Sequence, residues 1–275
     1  MEVNPHPELA VAGSGAIATG LAALASAGCE RVWLLARSEE SAERARGALS
    51  STCPRVDGGD AGRVRVTTDA TELAGASLAV EAIVEDPDAK ADLLRQLGEA
   101  APDADLATTT SSLSISALAA ACGHADRLFG LHVFNPVPVM RLVELCLPEG
   151  LDPGVGERAA AWCRSAGKTP VNVPDSSGFV VNRLIFPYLF DAVRFQERSG
   201  MPSEDVDTCM SLGLAHPMGP LTLLDLVGLD VAVAISDALY AESGNPEHLA
   251  PESVRTKVAA GELGQKSGRG FHDYG

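Results

Sequence analysis

The sequence predicts an α/β fold: a doubly wound, mostly parallel sheet followed by an all-α C-terminal domain. Short apolar segments alternate with helical periodicity up to about residue 150, which is typical of the strand–helix–strand units of a parallel sheet. Beyond Val173-Pro-Asp-Ser-Ser-Gly178 only helical periodicity remains. We therefore expect two domains, residues 1–174 and residues 175–275.

Composition and net charge exclude several classes of protein for this chain. A chain of 275 residues with 46% hydrophobic residues can form two domains with cores of their own. The net charge of −16 argues against nucleic acid or an anionic membrane as the main partner. We see no apolar run that could span a membrane and no signal peptide. The six cysteines and six histidines are scattered without metal-ligand spacing, so we expect no metal and a reducing, cytoplasmic location.

The first predicted strand, Leu9 to Ala12, runs directly into a glycine turn and a long Ala/Leu helix. Gly13 permits the tight turn, Gly15 lets the backbone approach a pyrophosphate, and Ala18 allows close packing of the helix on the strand. The helix N-terminus offers unpaired N–H groups to the phosphates. This order predicts a Rossmann-like dinucleotide site; the alternative is a turn that serves packing only.

The second predicted strand, Arg31 to Leu35, ends in Ala36-Arg37-Ser38. An NAD site usually has an acidic residue here, which binds the hydroxyl groups of the adenosine ribose. Without that carboxylate, Arg37 can bind a 2′-phosphate and Ser38 can donate to it. We therefore expect NADP(H) as the preferred cofactor, with NAD(H) as the second choice. The alternative is that Arg37 is a solvated residue at the start of a helix.

The middle of the chain continues the alternation of strands and helices. A helix is predicted over residues 41–50, a loop over 53–62, strands over 63–67 and 77–84, and a helix that starts near Pro87. The fifth strand, 106–110, ends in Thr110-Ser-Ser112, and a helix follows over 113–122. These serines are either helix N-caps or donors at the carboxyl end of a strand, where open α/β sheets bind ligands.

Two apolar runs, Arg127 to Phe134 and Met140 to Leu147, flank the segment Asn135-Pro-Val-Pro138. The two prolines predict a turn. If the runs pair, His132 and Glu144 meet across that turn. A carboxylate beside an imidazole fixes its tautomer and favours its protonated form, which suits a base that works near neutral pH. The alternative is a buried histidine with a structural role only.

The C-terminal third is predicted to be helical. After a helix over residues 152–166 and a last strand over 169–173, we expect helices over 180–199, 203–212, 221–240 and 251–261. An apolar helical domain beside a nucleotide-binding domain often buries its remaining face against a second copy. We therefore expect a homodimer.

These motifs resemble those of the short-chain L-3-hydroxyacyl-CoA dehydrogenases over nearly the whole chain. The segments that carry the resemblance are Gly13-x-Gly15, Glu81-Ala-Ile-Val-Glu-Asp86, Thr110-Ser-Ser-Leu113, Gly130-Leu-His-Val-Phe-Asn-Pro-Val-Pro-Val-Met140, Leu142-Val-Glu144, Gly178-Phe-Val-Val-Asn-Arg183, His216-Pro-Met-Gly-Pro220 and Lys266-Ser-Gly-Arg-Gly-Phe271.

The resemblance implies hydride transfer between C3 of a 3-hydroxyacyl thioester and a nicotinamide cofactor. It makes His132 the base for the 3-hydroxyl proton and Glu144 the group that orients the imidazole. Ser111 would hydrogen-bond the reacting oxygen, and Asn182 would position the substrate. Two more residues match family positions along the cofactor: Glu85 and Lys90. The family is typically a homodimer built on its helical domain.

The chain also departs from the family pattern. Ala36 replaces the acidic residue of NAD-using relatives, Thr109 replaces an asparagine, and Ser176-Ser177 stands where Pro often precedes Gly-Phe. The family usually inserts a long basic helical arm that helps hold CoA, and residues 38–63 are too short and too poor in lysine for it. The nucleotide tail of CoA is then held differently, or the acyl group arrives on another carrier.

The leading hypothesis is an NADP(H)-dependent 3-hydroxyacyl-thioester dehydrogenase acting on a short acyl group carried by CoA. An alternative keeps the chemistry on an acyl carrier protein, as in polyketide extender-unit synthesis. Because enzyme and carrier would both be acidic, that alternative needs a local arginine patch. A free hydroxy acid is a further substrate class. A non-catalytic nucleotide-binding protein is the alternative from a different class.

Overall fold

The computed structural model describes residues 4–275. The chain forms two compact units, Met1–Phe179 and Val180–Gly275. The domain boundary predicted near Pro174 lies shortly before this division. Within residues 4–275, no helix is both long enough and apolar enough to cross a membrane. The cytoplasmic location stays a prediction.

The first unit is built on one eight-stranded sheet with the strand order β3-β2-β1-β4-β5-β6-β7-β8. β7 is antiparallel to β6, and every other neighbouring pair is parallel. The strands are Glu8–Ala12 (β1), Arg31–Leu35 (β2), Val64–Thr67 (β3), Leu78–Glu81 (β4), Asp105–Thr108 (β5), Leu128–Val133 (β6), Leu142–Cys146 (β7) and Thr169–Val173 (β8).

Helices cover both faces of this sheet, and alternate residues of each strand point to opposite faces. Leu9 and Val11 belong to one buried cluster, whereas Ala10 and Ala12 belong to the other. Strands that are buried on both faces explain the near-continuous apolar runs of the sequence. The helices of this unit are Ala16–Ala25 (α1), Glu39–Thr52 (α2), Pro87–Ala100 (α3), Ile115–Cys122 (α4) and Pro153–Ser165 (α5).

The strand order reverses between β1 and β4, which lie next to each other. In open α/β sheets ligands bind outside the carboxyl ends of the strands at such a point. The predicted doubly wound, mostly parallel sheet is therefore confirmed. The candidate residues that follow β1, β4 and β5 lie at its carboxyl edge, and His132 lies near the end of β6 at the same edge.

The second unit is helical, as predicted, around a buried core that includes Phe186, Phe190 and Leu224. One prediction was wrong: residues 221–240 form two helices rather than one. Gly228 separates them with φ of 101°, a conformation that side-chain-bearing residues rarely adopt. The helices of this unit are Val181–Ser199 (α6), Ser203–Leu214 (α7), Pro220–Val227 (α8), Leu229–Ser243 (α9) and Glu252–Ala259 (α10).

Candidate active site

His132 and Glu144 lie opposite each other in the antiparallel pair of β6 and β7. Directly opposed residues project to the same face of a sheet, which brings the two side chains together. His132 Nδ1 lies 2.6 Å from Glu144 Oε2, and both side chains are buried, with 6% and 2% of each residue exposed. The contact expected from pairing of the two apolar runs is therefore present.

The chemistry of this contact sets the tautomer of His132. An ionised carboxylate only accepts hydrogen bonds, so Nδ1 carries the proton that Glu144 accepts. Nε2 then keeps its lone pair and is the nitrogen that can take a proton from a ligand.

Two phenylalanine rings flank the imidazole of His132. The ring centroids of Phe134 and Phe179 lie 4.6 and 5.3 Å from that of His132. Phe179 is fully buried, and its φ of 47° is in the left-handed region that a phenylalanine seldom occupies. Apolar walls keep water away from the histidine and strengthen its interaction with Glu144. Phe179 was not among the predicted site residues, although it lies within a motif that carried the family resemblance.

Ser111 follows β5, beside the strand that carries His132. Its backbone N–H donates to Glu85 Oε1 over 2.9 Å, and the same oxygen accepts from Thr110 Oγ1 and from the N–H and hydroxyl of Ser112. The N-cap of α4 is Ser114, so the interpretation of Ser111 and Ser112 as caps was wrong. Glu85 fixes the backbone of the serine loop, residues 109–113, at the carboxyl edge of the sheet.

The buried ammonium group of Lys90 stabilises the negative charge of Glu85. Burial raises the pKa of Glu85, but the Lys90 charge and the hydrogen bonds from the serine loop outweigh it, so the pKa is lowered overall. Lys90 Nζ lies 3.3 Å from Glu85 and donates to Glu81 Oε1 over 2.8 Å. Lys90 is itself 1% exposed, so any effect of its charge on a ligand would pass through Glu85. The place of both residues along the cofactor stays a prediction.

Sequence reasoning missed Glu81 and Thr108 as parts of this network. Glu81 is completely buried at the end of β4, where it accepts from Lys90 and, over 2.6 Å, from Thr108 Oγ1. A carboxylate within an apolar strand was the available signal, because a buried charge requires partners. Its partners are nine and 27 residues away in sequence and gave no spacing motif.

The glycine turn between β1 and α1 fits a dinucleotide. A Cβ on Gly13, which has φ of 141°, would lie 2.1 Å from the carbonyl oxygen of Ala82 and 3.2 Å from the Cβ of Ala18. Gly15 is the N-cap of α1 and has open space where its Cβ would be, and no side chain caps the helix. The first-turn N–H groups can therefore bind a pyrophosphate that approaches Gly15.

The residues after β2 show what is available to the adenosine end of a cofactor. Ala36 is buried, and Arg37 and Ser38 are exposed. Within residues 4–275, the Arg37 guanidinium has no hydrogen bond or ion pair. The Ser38 hydroxyl, by contrast, caps α2: it accepts from Ser41 N over 3.3 Å and lies 3.1 Å from Ser41 Oγ.

Asn182 lies in the first turn of α6 in the helical unit, where it is partly buried. Its role in positioning the substrate stays a prediction. Among the described residues, no group of three or more histidines, cysteines, aspartates and glutamates could hold a metal ion.

Comparison with known proteins assigns this architecture to a family. The model of the 3-hydroxyacyl-CoA dehydrogenase NAD binding domain matches residues 8–176, and that of the 3-hydroxyacyl-CoA dehydrogenase C-terminal domain matches residues 178–274. The chain is 44% identical over 216 residues to a 3-hydroxybutyryl-CoA dehydrogenase of Mycobacterium tuberculosis, which covers 78% of this chain and 76% of that protein.

Two further matches, one to a sequence and one to a solved structure, cover more of the chain. The human mitochondrial hydroxyacyl-coenzyme A dehydrogenase is 36% identical over 282 residues, which covers 96% of this chain and 90% of the human protein. The crystal structure of M. tuberculosis FadB2 aligns with a TM-score of 0.94 at 38% identity, covering 98% of this chain and 99% of that chain.

The fold and the matching domains define a nicotinamide-dependent oxidoreductase that acts on a hydroxyl group. The chain belongs to the 3-hydroxyacyl-CoA dehydrogenase family, and its substrate class is the acyl-CoA thioester. The non-catalytic alternative therefore loses its support.

Proposed function

We propose that this protein interconverts a short 3-hydroxyacyl thioester and its 3-oxoacyl form, that it prefers NADP(H), and that His132 is its acid–base group. The observation that carries the proposal is the buried contact of 2.6 Å between His132 Nδ1 and Glu144 at the carboxyl edge of the sheet. That edge also holds the glycine turn, so base and cofactor site lie on the same side of one rigid sheet.

In the oxidising direction, His132 Nε2 takes the proton of the 3-hydroxyl as the C3–O bond becomes a carbonyl. A nicotinamide cofactor held at the glycine turn of Gly13 and Gly15 would supply the redox chemistry, as the acceptor of the hydride from C3. Glu144 stabilises the imidazolium that forms, because its carboxylate is already hydrogen-bonded to Nδ1. Ser111, on the loop fixed by Glu85, donates to the reacting oxygen, and Asn182 orients the thioester. In the reducing direction the imidazolium returns its proton.

The test follows oxidation of reduced nicotinamide with acetoacetyl-CoA, comparing the parent protein with His132→Asn. We expect the parent to turn over and His132→Asn to lose about 10²- to 10⁴-fold in kcat, the usual contribution of a general acid–base group. Cofactor binding, followed by NADPH fluorescence, serves as the folding control. A folded His132→Asn variant with near-parental kcat would remove His132 from the reaction.

The preference for NADP(H) rests on the end of β2. Ala36 offers no carboxylate, and the exposed Arg37 guanidinium is available to a 2′-phosphate. The family model that matches here is described as NAD binding, so this preference would distinguish the chain. Because the Ser38 hydroxyl already caps α2, the proposal relies on Arg37 and on the N–H groups at the start of that helix.

Arg37→Asp tests the preference against Arg198→Asp, an equal change of charge on the exposed end of α6. We expect Arg37→Asp to raise the Kd of NADPH by roughly 10- to 100-fold, because a hydrogen bond to a charged group contributes about 1.5–3 kcal/mol. The Kd of NADH should stay close to that of the parent. An unchanged ratio of NADPH to NADH affinity would exclude Arg37 as the phosphate ligand.

The carrier-protein alternative starts from the short connection between α2 and β3. Residues 53–63 form two short 3₁₀ turns, Cys53–Arg55 and Ala61–Arg63, and no helical arm that could contact the CoA nucleotide. A carrier protein presents the same thioester without that nucleotide. Comparing kcat/KM for acetoacetyl groups on CoA and on an acyl carrier protein decides between the two carriers: a value several-fold higher on the carrier protein would make that protein, rather than CoA, the preferred carrier of the substrate.

We also propose a homodimer that forms through the helical unit. Several large apolar side chains of that unit are exposed, among them Leu184 at 69%, Leu212 at 82% and Leu214 at 60%. A symmetric interface between two copies would bury such exposed apolar side chains. Sedimentation velocity should give a dimer for the parent and a monomer for the Leu212→Asp/Leu214→Asp variant. A monomeric parent would contradict the proposal.

A further inference from the structure

Lys168 is a buried lysine immediately before β8, with 6% of the residue exposed. Its ammonium group donates to two main-chain carbonyls, those of Val137 and Met140, the second over 2.7 Å. Within the described part of the chain it forms no ion pair with a carboxylate. A charge in such a place is costly unless it is fully hydrogen-bonded, so Lys168 is committed to these two carbonyls.

Both carbonyls belong to the proline loop, which we define as residues 134–141, between β6 and β7. This loop directly joins the strand of His132 to the strand of Glu144. Lys168 donates hydrogen bonds to two carbonyls of this loop. The carbonyl oxygen of Arg141, also in the loop, accepts from the N–H of Thr169 over 2.8 Å. The loop is thereby attached to the start of β8.

The proline loop is held by α1 as well. Val137 is 1% exposed, and a Cβ on Gly20 of α1 would lie only 2.8 Å from the Val137 Cβ. The side chain of Val137 thus packs directly on the backbone of the helix whose N-terminus receives the cofactor. The proline loop therefore connects α1 with the pair of His132 and Glu144. Lys168 fixes this loop at the carbonyl of Val137, the residue that packs on α1.

We propose that Lys168 is a positioning residue for the reaction: by binding the carbonyls of Val137 and Met140, it fixes the His132–Glu144 pair relative to α1 and hence to the bound cofactor. The inference rests on the proposed role of His132. Lys168 acts through the proline loop and touches neither substrate nor cofactor. Hydride and proton transfer need aligned reactants, so a small shift of His132 against the nicotinamide lowers the rate while both ligands still bind.

Burial lowers the pKa of Lys168, opposed by the neighbouring Cys163. The two carbonyl partners are neutral and no carboxylate among residues 4–275 pairs with Lys168, so the lowering of its pKa by burial is not reversed. It agrees with a group whose function is hydrogen bonding to the loop.

The experiment compares Lys168→Met with Lys257→Met in the full-length enzyme. Lys257 is the control for loss of a lysine that binds a main-chain carbonyl: its ammonium donates to that of Gly270 over 2.8 Å, but it lies in the helical unit and also pairs with Glu262. We expect Lys168→Met to lose about 10- to 100-fold in kcat, with the Kd of NADPH and the KM of acetoacetyl-CoA within about twofold of the parent. Lys257→Met should keep the parental kcat.

Two further variants separate positioning from folding. Val137→Ala loosens the same loop from the side of α1 and should lower kcat in the same direction, again without weakening NADPH binding. Lys168→Arg keeps a cationic donor and should recover kcat relative to Lys168→Met. If Lys168→Met does not fold, the proposal is tested by comparing the kcat and the NADPH affinity of Val137→Ala with those of the parent.

A folded Lys168→Met with parental kcat, or one that changes only KM, would overturn the proposal. An unchanged kcat in folded Val137→Ala would do the same when Lys168→Met does not fold. An active His132→Asn variant would instead contradict the proposed function, so the two failures are distinguishable.

Discussion

At the scale of the residue, the contact between His132 and Glu144 assigns each of them one task. The carboxylate holds the proton on Nδ1, so the lone pair of the imidazole is on Nε2, the nitrogen that we propose reacts with the substrate. Glutamine at position 144 would have almost the same shape but no charge, and its amide can donate to Nδ1. That donation would favour the tautomer that carries its proton on Nε2.

We therefore expect Glu144→Gln to bind NADPH like the parent and to lose at least about 100-fold in kcat, as occurs when the orienting carboxylate of a histidine is neutralised. Steady-state kinetics with acetoacetyl-CoA measures the loss. Glu149→Gln, on the exposed turn after β7, is the control for removal of one negative charge. Equal activity of the two variants would show that Glu144 has only a structural role.

At the scale of the element, the turn from β1 to α1 contains two glycines with separable functions. A Cβ on Gly13 would overlap the carbonyl oxygen of Ala82, whereas a Cβ on Gly15 meets no atom within 4 Å. Gly15 also has φ of −79°, which alanine adopts without strain. Gly13 is thus required by the fold itself, whereas the open space beside Gly15 is where we expect the pyrophosphate of the cofactor.

We expect Gly15→Ala to keep the parental Tm while raising the Kd of both NADPH and NADH, since the methyl group occupies the path of the pyrophosphate. Gly13→Ala should lower Tm and weaken cofactor binding together, because it pushes β4 away from β1. Differential scanning fluorimetry and fluorescence titration measure the two effects. Unchanged cofactor affinity in Gly15→Ala would show that the pyrophosphate does not approach there.

Elements built from local patterns were predictable, and contacts to the main chain were not. Apolar runs and the glycine turn identified the strands and the site edge, and the pairing of two short runs brought His132 to Glu144. The break at Gly228 was missed, because a single glycine within a helical pattern is usually tolerated. Lys168 gave no signal, since its acceptors are backbone carbonyls 31 and 28 residues away, and any residue type supplies a carbonyl.

At the scale of the whole molecule, stability at low pH depends on His6 in the first unit. His6 is 1% exposed, and among residues 4–275 no side chain forms a hydrogen bond with either of its ring nitrogens; Nε2 lies 3.5 Å from Asp105 Oδ2. Burial lowers the pKa of His6 from 6.5 to about 4, with Asp105 opposing the shift and Arg158 adding to it. The folded protein therefore holds His6 neutral.

As the pH falls from 6.5 towards 4, the unfolded chain binds a proton at His6 before the folded protein does, so the free energy of unfolding decreases. The full shift corresponds to about 3 kcal/mol. We expect His6→Gln to lose less stability than the parent between pH 7 and pH 4.5, measured by urea unfolding, with the exposed His216→Gln as control. Parallel losses in parent and His6→Gln would contradict this assignment.

The two short turns between α2 and β3 also bear on control of the enzyme by metabolites. An enzyme that binds the adenosine 3′-phosphate of CoA tightly is inhibited by any CoA species, because much of the binding energy comes from the nucleotide that all of them share. If no other part of the chain binds that phosphate in place of the arm, discrimination passes to the acyl group and the pantetheine chain. Free CoA and unrelated acyl-CoA esters would then compete weakly, and turnover would follow the supply of the 3-oxo or 3-hydroxy substrate rather than the total CoA pool.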